Sequence, residues 1–208
     1  VINDKEKFIS RTFGTDPEIF KTSLFGGARF DYSLQKVNDV LVPSRGVSFN
    51  GTAAYTQNLN RNNRSITTLN GNLNLYIPIL NKLTVAISSG AATISGQPQF
   101  YQYPNIGGGL TLRGYRRERF YGKTTFYNSN ELQWVTNVRS YLFNGRFGLI
   151  ALFDQGRVWL PGEHSDLWHT GIGGGFLITP FEKVMVSVTY GRSKEIGLIH
   201  LRFRTGFP

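Results

Sequence analysis

Cysteine is absent from the 208 residues, and methionine occurs once. The lack of cysteine excludes a disulfide framework, a cysteine nucleophile and any thiolate metal site. Charge is scarce as well. Only 17 % of residues are charged, and acids are the rarer sign, 13 against 23 Lys and Arg, giving a formal charge of +10. No apolar run approaches the roughly 18 residues of a membrane-spanning helix. The opening stretch, Val1–Lys7, carries charges and no signal-peptide core, so the sequence reads as a mature or excised chain. Aromatics are plentiful at 14 %, and hydrophobic residues reach 40 %, which is too apolar for disorder. The length fits one domain over 1–208. The positive balance raises nucleic acid, anionic lipid and acidic ligands as partners without choosing among them.

The pattern along the chain has period two. Leu69, Gly71, Leu73, Leu75, Ile77 and Ile79 share one face, opposite Asn70, Asn72, Asn74 and Tyr76. At the C-terminus Gly197, Ile199, Leu201, Phe203, Thr205 and Phe207 oppose Leu198, His200, Arg202, Arg204 and Gly206. Further runs cover Leu24–Gln35, Val47–Thr56, Leu83–Ile94, Phe126–Tyr141, Arg146–Trp159, Trp168–Ile178 and Val184–Gly191. Side chains alternate across a strand, so each run has an apolar face and a polar or small one. Most runs exceed the usual 5–6 residues or so of a soluble strand and reach the roughly 9–11 that cross a bilayer. Long, alternating segments are the mark of a transmembrane β-barrel, which must close because hydrocarbon offers no hydrogen-bond partners. A mean hydropathy of −0.23 suits strands that show half their residues to the interior. Tyr55, Trp159, Trp168, Tyr190 and Phe207 are candidates for interfacial girdles. A soluble all-β fold is the alternative.

Connection lengths set the topology. Asn144-Gly145, Leu80–Lys82 and Pro180–Lys183 read as short turns. Gln57–Ser65, Gln97–Lys123 and Leu160–Leu167 are longer and belong on the outer side. Lys36–Arg45 is a longish exception on the short-turn side. Placing both termini on the short-turn side requires one more strand, for which Lys7–Phe13 is the candidate. The expectation is therefore an antiparallel barrel of ten strands, with eight as the alternative. Sixteen strands would leave too few residues for such loops.

Catalytic motifs do not assemble. Gly122-Lys123-Thr124 resembles the end of a phosphate-binding loop, but Arg117 stands where its first glycine belongs. Gly107–Gly109 and Gly171–Gly175 fail the dinucleotide fingerprint, and the second cluster is better read as letting a strand bend or something pack against the wall. His164, His169 and His200 lack metal-ligand spacing. No catalytic residue, cofactor or metal is expected, and the chain is read as a non-enzyme. Arg116, Arg117 and Arg119 interleave with Tyr115, Phe120 and Tyr121 in one loop, but no nucleic-acid module surrounds them, so nucleic acid is not an expected partner.

An ordered set of motifs carries a resemblance. Leu112-Arg113-Gly114-Tyr115, in the loop at 97–123, resembles the Val-Arg-Gly-Phe/Tyr motif of the BamA/TamA outer-membrane assembly superfamily, the bacterial surface antigen barrel. Phe30-Asp31-Tyr32 with Val42–Gly46, Asn130–Gln133, and Phe153–Trp159 resemble further family segments in order. The final run, with Gly197, Leu201, Phe203 and Phe207, resembles the family's C-terminal targeting strand. The resemblance covers about Ala28 to Phe207. Two features depart from the family: the barrel looks shorter than sixteen strands, and no upstream periplasmic module is present in the sequence.

The resemblance implies a bacterial outer-membrane barrel that acts in outer-membrane protein assembly and insertion or in polypeptide translocation. Its partners would be membrane lipids and an unfolded β-barrel client. The alternative is an anchor for a fused periplasmic domain, itself a possible enzyme, and a homodimer through incompletely paired edges is also open. Folding the long loop back into the barrel would bury Arg113, which then requires a carboxylate, and the guanidinium fork suits bidentate pairing. Alternation puts Glu131 on the face of Tyr127, Ser129 and Gln133, and puts Asp154 opposite Phe153. Arg113 is expected to pair with Glu131, Asp154 or both, with Gly114 permitting close approach.

Overall fold

The nine alternating runs become nine long antiparallel strands that follow one another around a single sheet. The computed structural model describes residues 24–60, 64–139, 144–162 and 166–206. Strands β1 (Phe25–Val37), β2 (Gly46–Asn58), β3 (Ser65–Leu80) and β4 (Leu83–Gly96) form a meander. The long loop follows, with a 3-10 turn at Phe100–Gln102 and two short strands, β5 (Asn105–Ile106) and β6 (Phe120–Tyr121), paired with each other. The meander resumes with β7 (Thr124–Arg139) beside β4, then β8 (Asn144–Trp159), β9 (His169–Pro180), β10 (Val184–Arg192) and β11 (Gly197–Thr205).

Among the described residues the sheet is not a closed ring. Its end strands, β1 and β11, pair only with β2 and β10. The expected extra strand at Lys7–Phe13 lies outside the described residues, and neither ten strands nor eight is what they form. The short β5–β6 ladder, unforeseen in the sequence, braces the loop and adds nothing to the wall. Asn144-Gly145 was expected in a turn but opens β8, paired with Arg139 and Val138.

Alternation sorts the two faces. On β8 Leu149, Ala151 and Phe153 are exposed, while Ile150, Leu152 and Asp154 are buried. On β11 Ile199, Leu201 and Phe203 point outward and are more than half exposed. So apolar side chains cover the outside, as a wall in contact with hydrocarbon requires.

The interior is filled from both ends. From one end the long loop brings in Leu112 and Tyr115, which pack with Ile106 against Phe120, Tyr127 and Val158. From the other the β1–β2 turn folds inward, and Leu41 and Val42 pack on Ile150, Leu177 and Met185 of the facing wall. Asp39 organises that turn by accepting the Leu41 and Val42 backbone N–H groups at 2.8 and 2.9 Å. Arg146 of β8 donates to the same carboxylate at 2.8 Å. Arg204 of β11 donates to the Val40 and Leu41 carbonyls at 3.3 and 3.0 Å. This is why the link is long on the side of short turns: its extra residues reach across the interior. A cavity of about 300 Å³ remains between the two plugs, lined in part by Asn72, Tyr127, Glu131 and Arg202.

Candidate functional site: an arginine locked inside the wall

The loop tip is compact before it meets the wall. Gly107 N–H donates to Thr111 Oγ1 at 2.9 Å, and Gly108 and Leu112 exchange backbone hydrogen bonds at 3.1 Å. This turn delivers Leu112 and Arg113, with 0 % and 1 % of their surface exposed, into the sheet interior.

Arg113 is held by β7 and β8. Its Nε donates to Asp154 Oδ2 at 2.8 Å and its Nη2 to Asp154 Oδ1 at 2.7 Å, a bidentate fork. Its backbone N–H adds a third bond to Asp154, at 2.9 Å. Nη1 donates to Glu131 Oε1, and Nη2 also reaches Ser129 Oγ at 2.8 Å. The carboxylates are themselves supported: Ser129 Oγ donates to Asp154 at 2.8 Å, and Gln133 Nε2 to Glu131 at 2.6 Å. Arg202 of β11 stands 3.6 Å from Glu131 and donates to the Gly109 carbonyl at 3.0 Å. Two guanidinium groups thus face two carboxylates, and the buried charge balances. Burial works against the Arg113 charge, but the hydrogen bonds and negative charges of Asp154 and Glu131 outweigh it and raise its pKa above the ordinary value.

The wall is cut to receive this tip. A Cβ on Gly171 of β9 would stand 2.0 Å from the Arg113 carbonyl oxygen, and one on Gly191 of β10 would stand 2.7 Å from Arg113 Cβ. Gly114 takes φ +89°, a conformation that favours glycine, and passes close to the Arg192–Ser193 peptide. Ser193 Oγ donates to its carbonyl at 2.6 Å, and its N–H approaches His200 Nε2 at 3.4 Å. Tyr115 follows, meeting Phe120 and His169 edge-on, and its hydroxyl donates to the Thr170 carbonyl at 3.3 Å. Arg119 and Glu195 pair at 2.8 Å near the rim. The tip therefore touches every strand from β7 to β11.

Of the residues singled out in the sequence, the structure brings together Leu112, Arg113, Gly114, Tyr115, Glu131 and Asp154. Gly197, Leu201 and Phe203 lie apart from this site, on the outward face of β11, and Phe207 is outside the described residues. Ser129, Ser193, His200, Arg202 and Gly191 were missed as parts of the site, while Gly171 belongs to the glycine cluster read as letting a strand bend or something pack against the wall, and what packs there is the Arg113 backbone. Alternation had put Ser129, His200 and Arg202 on inward faces, but no local signal says which inward residues a distant loop will meet.

A sheet of long strands, apolar outside, with a long loop sealed into it by a buried arginine, defines a class of membrane β-barrel. The Omp85 superfamily domain matches residues 16–181, and the chain belongs to that superfamily. Among solved structures it is similar to BamA from Haemophilus ducreyi lacking POTRA domains 1–3, with a TM-score of 0.64 and 16 % sequence identity. The match covers 84 % of this chain and 41 % of that one. The chain thus spans less than half the length of this neighbour, and the likeness is one of fold. No curated protein matches the chain.

Proposed function

We propose that the chain is the membrane-embedded barrel of an outer-membrane Omp85 protein that assists assembly and insertion of other β-barrel proteins, without covalent chemistry. The long loops face outside, the short turns face the periplasm, and the exposed apolar wall sits in lipid. The observation that carries the reading is the anchoring of the loop tip on both sides of the wall. Arg113 binds β7 and β8, while Gly109 and Gly114 are held by Arg202, His200 and Ser193 of the last hairpin. β11 is an end strand of the sheet, so a loop braced against it couples the interior to the edge where a client strand would pair. A passive solute pore fits poorly with an interior plugged from both ends.

The test is folding of an unfolded eight-stranded client into phosphatidylcholine vesicles, with and without the barrel. An assembly role predicts acceleration, and the acceleration should fall when Arg113 is replaced. An unchanged client rate refutes it. The interior, occupied by the loop tip at one end and the β1–β2 turn at the other, favours a second reading: an anchor for a periplasmic domain. An anchor leaves the client rate unchanged while retaining its attached domain at the membrane.

A further inference from the structure

The outward wall carries a polar ladder where the hydrocarbon should be. Thr124 of β7 pairs with Trp159 at the loop end of the wall, and Trp134 pairs with Leu83 at the opposite end. The stretch from Thr124 to Trp134 matches the roughly 9–11 residues that cross a bilayer. Asn128 and Asn130 lie in its middle, on the same face as the exposed Leu132 and Trp134 and opposite the buried Ser129 and Glu131. Asn128 Nδ2 donates to Ser89 Oγ of β4 at 2.7 Å. Asn130 Nδ2 donates to Asn128 Oδ1 and, at 3.2 Å, to the Phe153 carbonyl. Gln155 of β8, beside Asn128 in the register and likewise outward, has a carboxamide with no hydrogen bond among the described residues.

Acyl chains supply no donor or acceptor, so an unmet carboxamide at this depth is costly and calls for a polar partner within the membrane. Asn128, Asn130, Gln155 and Ser89 carry no charge, and the nearest cation on that face, Arg157, is paired with Asp166 at 2.7 Å. A carboxamide both donates and accepts, which makes the patch complementary to itself across a two-fold axis. On β4 the small Ser89 stands opposite Asn128 and the apolar Ile87 opposite Asn130, so the ladder is open on the β4 side at the level of Asn128 and bordered by an aliphatic side chain at the level of Asn130.

We propose that this ladder is a homodimer contact. The outward face of β4, β7 and β8 docks on the same face of a second copy, and Asn130 and Gln155 exchange hydrogen bonds with their equivalents. The contact lies away from the sheet edges β1 and β11, so a dimer built this way leaves both edges accessible. The inference rests on the reading of the chain as a membrane wall.

The test uses the full chain folded in phosphatidylcholine vesicles and exploits the lack of native cysteine. Asn130→Cys and Gln155→Cys are oxidised and run unheated without reductant, beside Leu75→Cys on the outward face of β3 and Ile199→Cys on the edge strand β11. Disulfide-linked dimers are expected from the first two and not from the others. As a second readout, the variant N128L/N130L/Q155L, which keeps a lipid-compatible face, should reduce energy transfer between labelled copies to the level of non-interacting proteins. Chains that show the heat-dependent gel shift of a folded barrel yet stay monomeric at positions 130 and 155, or crosslink only at 199, overturn the dimer contact. Loss of the heat shift in the unmodified chain would instead overturn the membrane-wall reading.

Discussion

Replacing Arg113 with alanine leaves two inward carboxylates without their main partner. Asp154 has no exposed surface and would lose three of its hydrogen bonds, keeping the Ser129 hydroxyl at 2.8 Å; the backbone bond from residue 113 returns only if the tip stays in place. Glu131 keeps the Gln133 amide, with Arg202 3.6 Å away. Removing one partner of a buried pair typically costs about 3–5 kcal/mol. The remaining partners place this case near the lower end, about 3 kcal/mol, or roughly a hundredfold in the ratio of locked to released loop. Because membrane barrels rarely unfold reversibly, the readout is operational: the temperature at which the compact band converts to the unfolded one on a semi-native gel. Arg113→Ala should convert at a clearly lower temperature. Arg113→Lys should fall between, since it keeps the charge and loses the fork. An Arg113→Ala conversion temperature equal to that of the unmodified chain would refute the lock.

Three further outcomes follow from the same geometry. Gly171→Ala should expel the loop tip, because its Cβ would stand 2.0 Å from the Arg113 carbonyl, whereas Gly71→Ala meets only ordinary contacts at 3.7 Å; protease cleavage within 107–119 should rise in the first and not in the second. Burial pushes the Asp39 carboxyl up, but the Val42 N–H, the Arg146 guanidinium and the Leu41 N–H outweigh it and hold its pKa below the ordinary value. A depressed folded pKa stabilises above the unfolded value, about 3.9 for Asp, and that contribution is lost as pH falls through the folded one. Asp39→Asn should therefore lower heat resistance at neutral pH and flatten its decline in acid, and parallel acid curves for the two proteins would contradict this. Because the β1–β2 turn still packs Leu41 and Val42 across the interior, deleting residues 109–117 alone should leave planar bilayers as silent as the intact chain, and deleting residues 39–43 as well should give conductance steps; steps from the first deletion alone would mean that the turn does not plug the interior.

Much of the wall was legible because the solvent on either side of it is so different. Hydrocarbon outside forces an apolar residue at alternate positions of every strand, and that signal repeats from Phe30 to Phe203 without needing any long-range information. All nine runs read from the sequence lie in the nine wall strands, with ends displaced by a few residues. The same alternation assigned Ser129, Glu131 and Asp154 to the interior. It left open how Arg113 divides itself between the two acids, a matter of where the loop tip comes to rest. That position depends on Gly171 and Gly191, more than fifty residues further along the chain; the Gly171–Gly175 cluster read as a place for a bend or close packing, but which segment packs there is visible only when the backbones approach. The β1–β2 turn was opaque for a related reason. Asp39-Val40-Leu41-Val42 has no period, and its inward course is set by Ile150, Leu177 and Met185 on the opposite wall. Asn144-Gly145 misled because a favourable turn pair can equally begin a strand. Sheet closure was expected from the cost of an open edge in lipid, a general argument that does not say which segment completes the ring.

The most direct test of the account is the accessibility of the loop tip in the folded protein. Cysteine is introduced singly at Leu112, which has no exposed surface, and at Arg117, whose side chain is 89 % exposed. Both chains are then treated with a membrane-impermeant maleimide in vesicles. The account predicts rapid labelling at 117 and protection at 112, with protection lost when Arg113→Ala is added. Equal labelling at 112 and 117 in the otherwise unmodified barrel would contradict it.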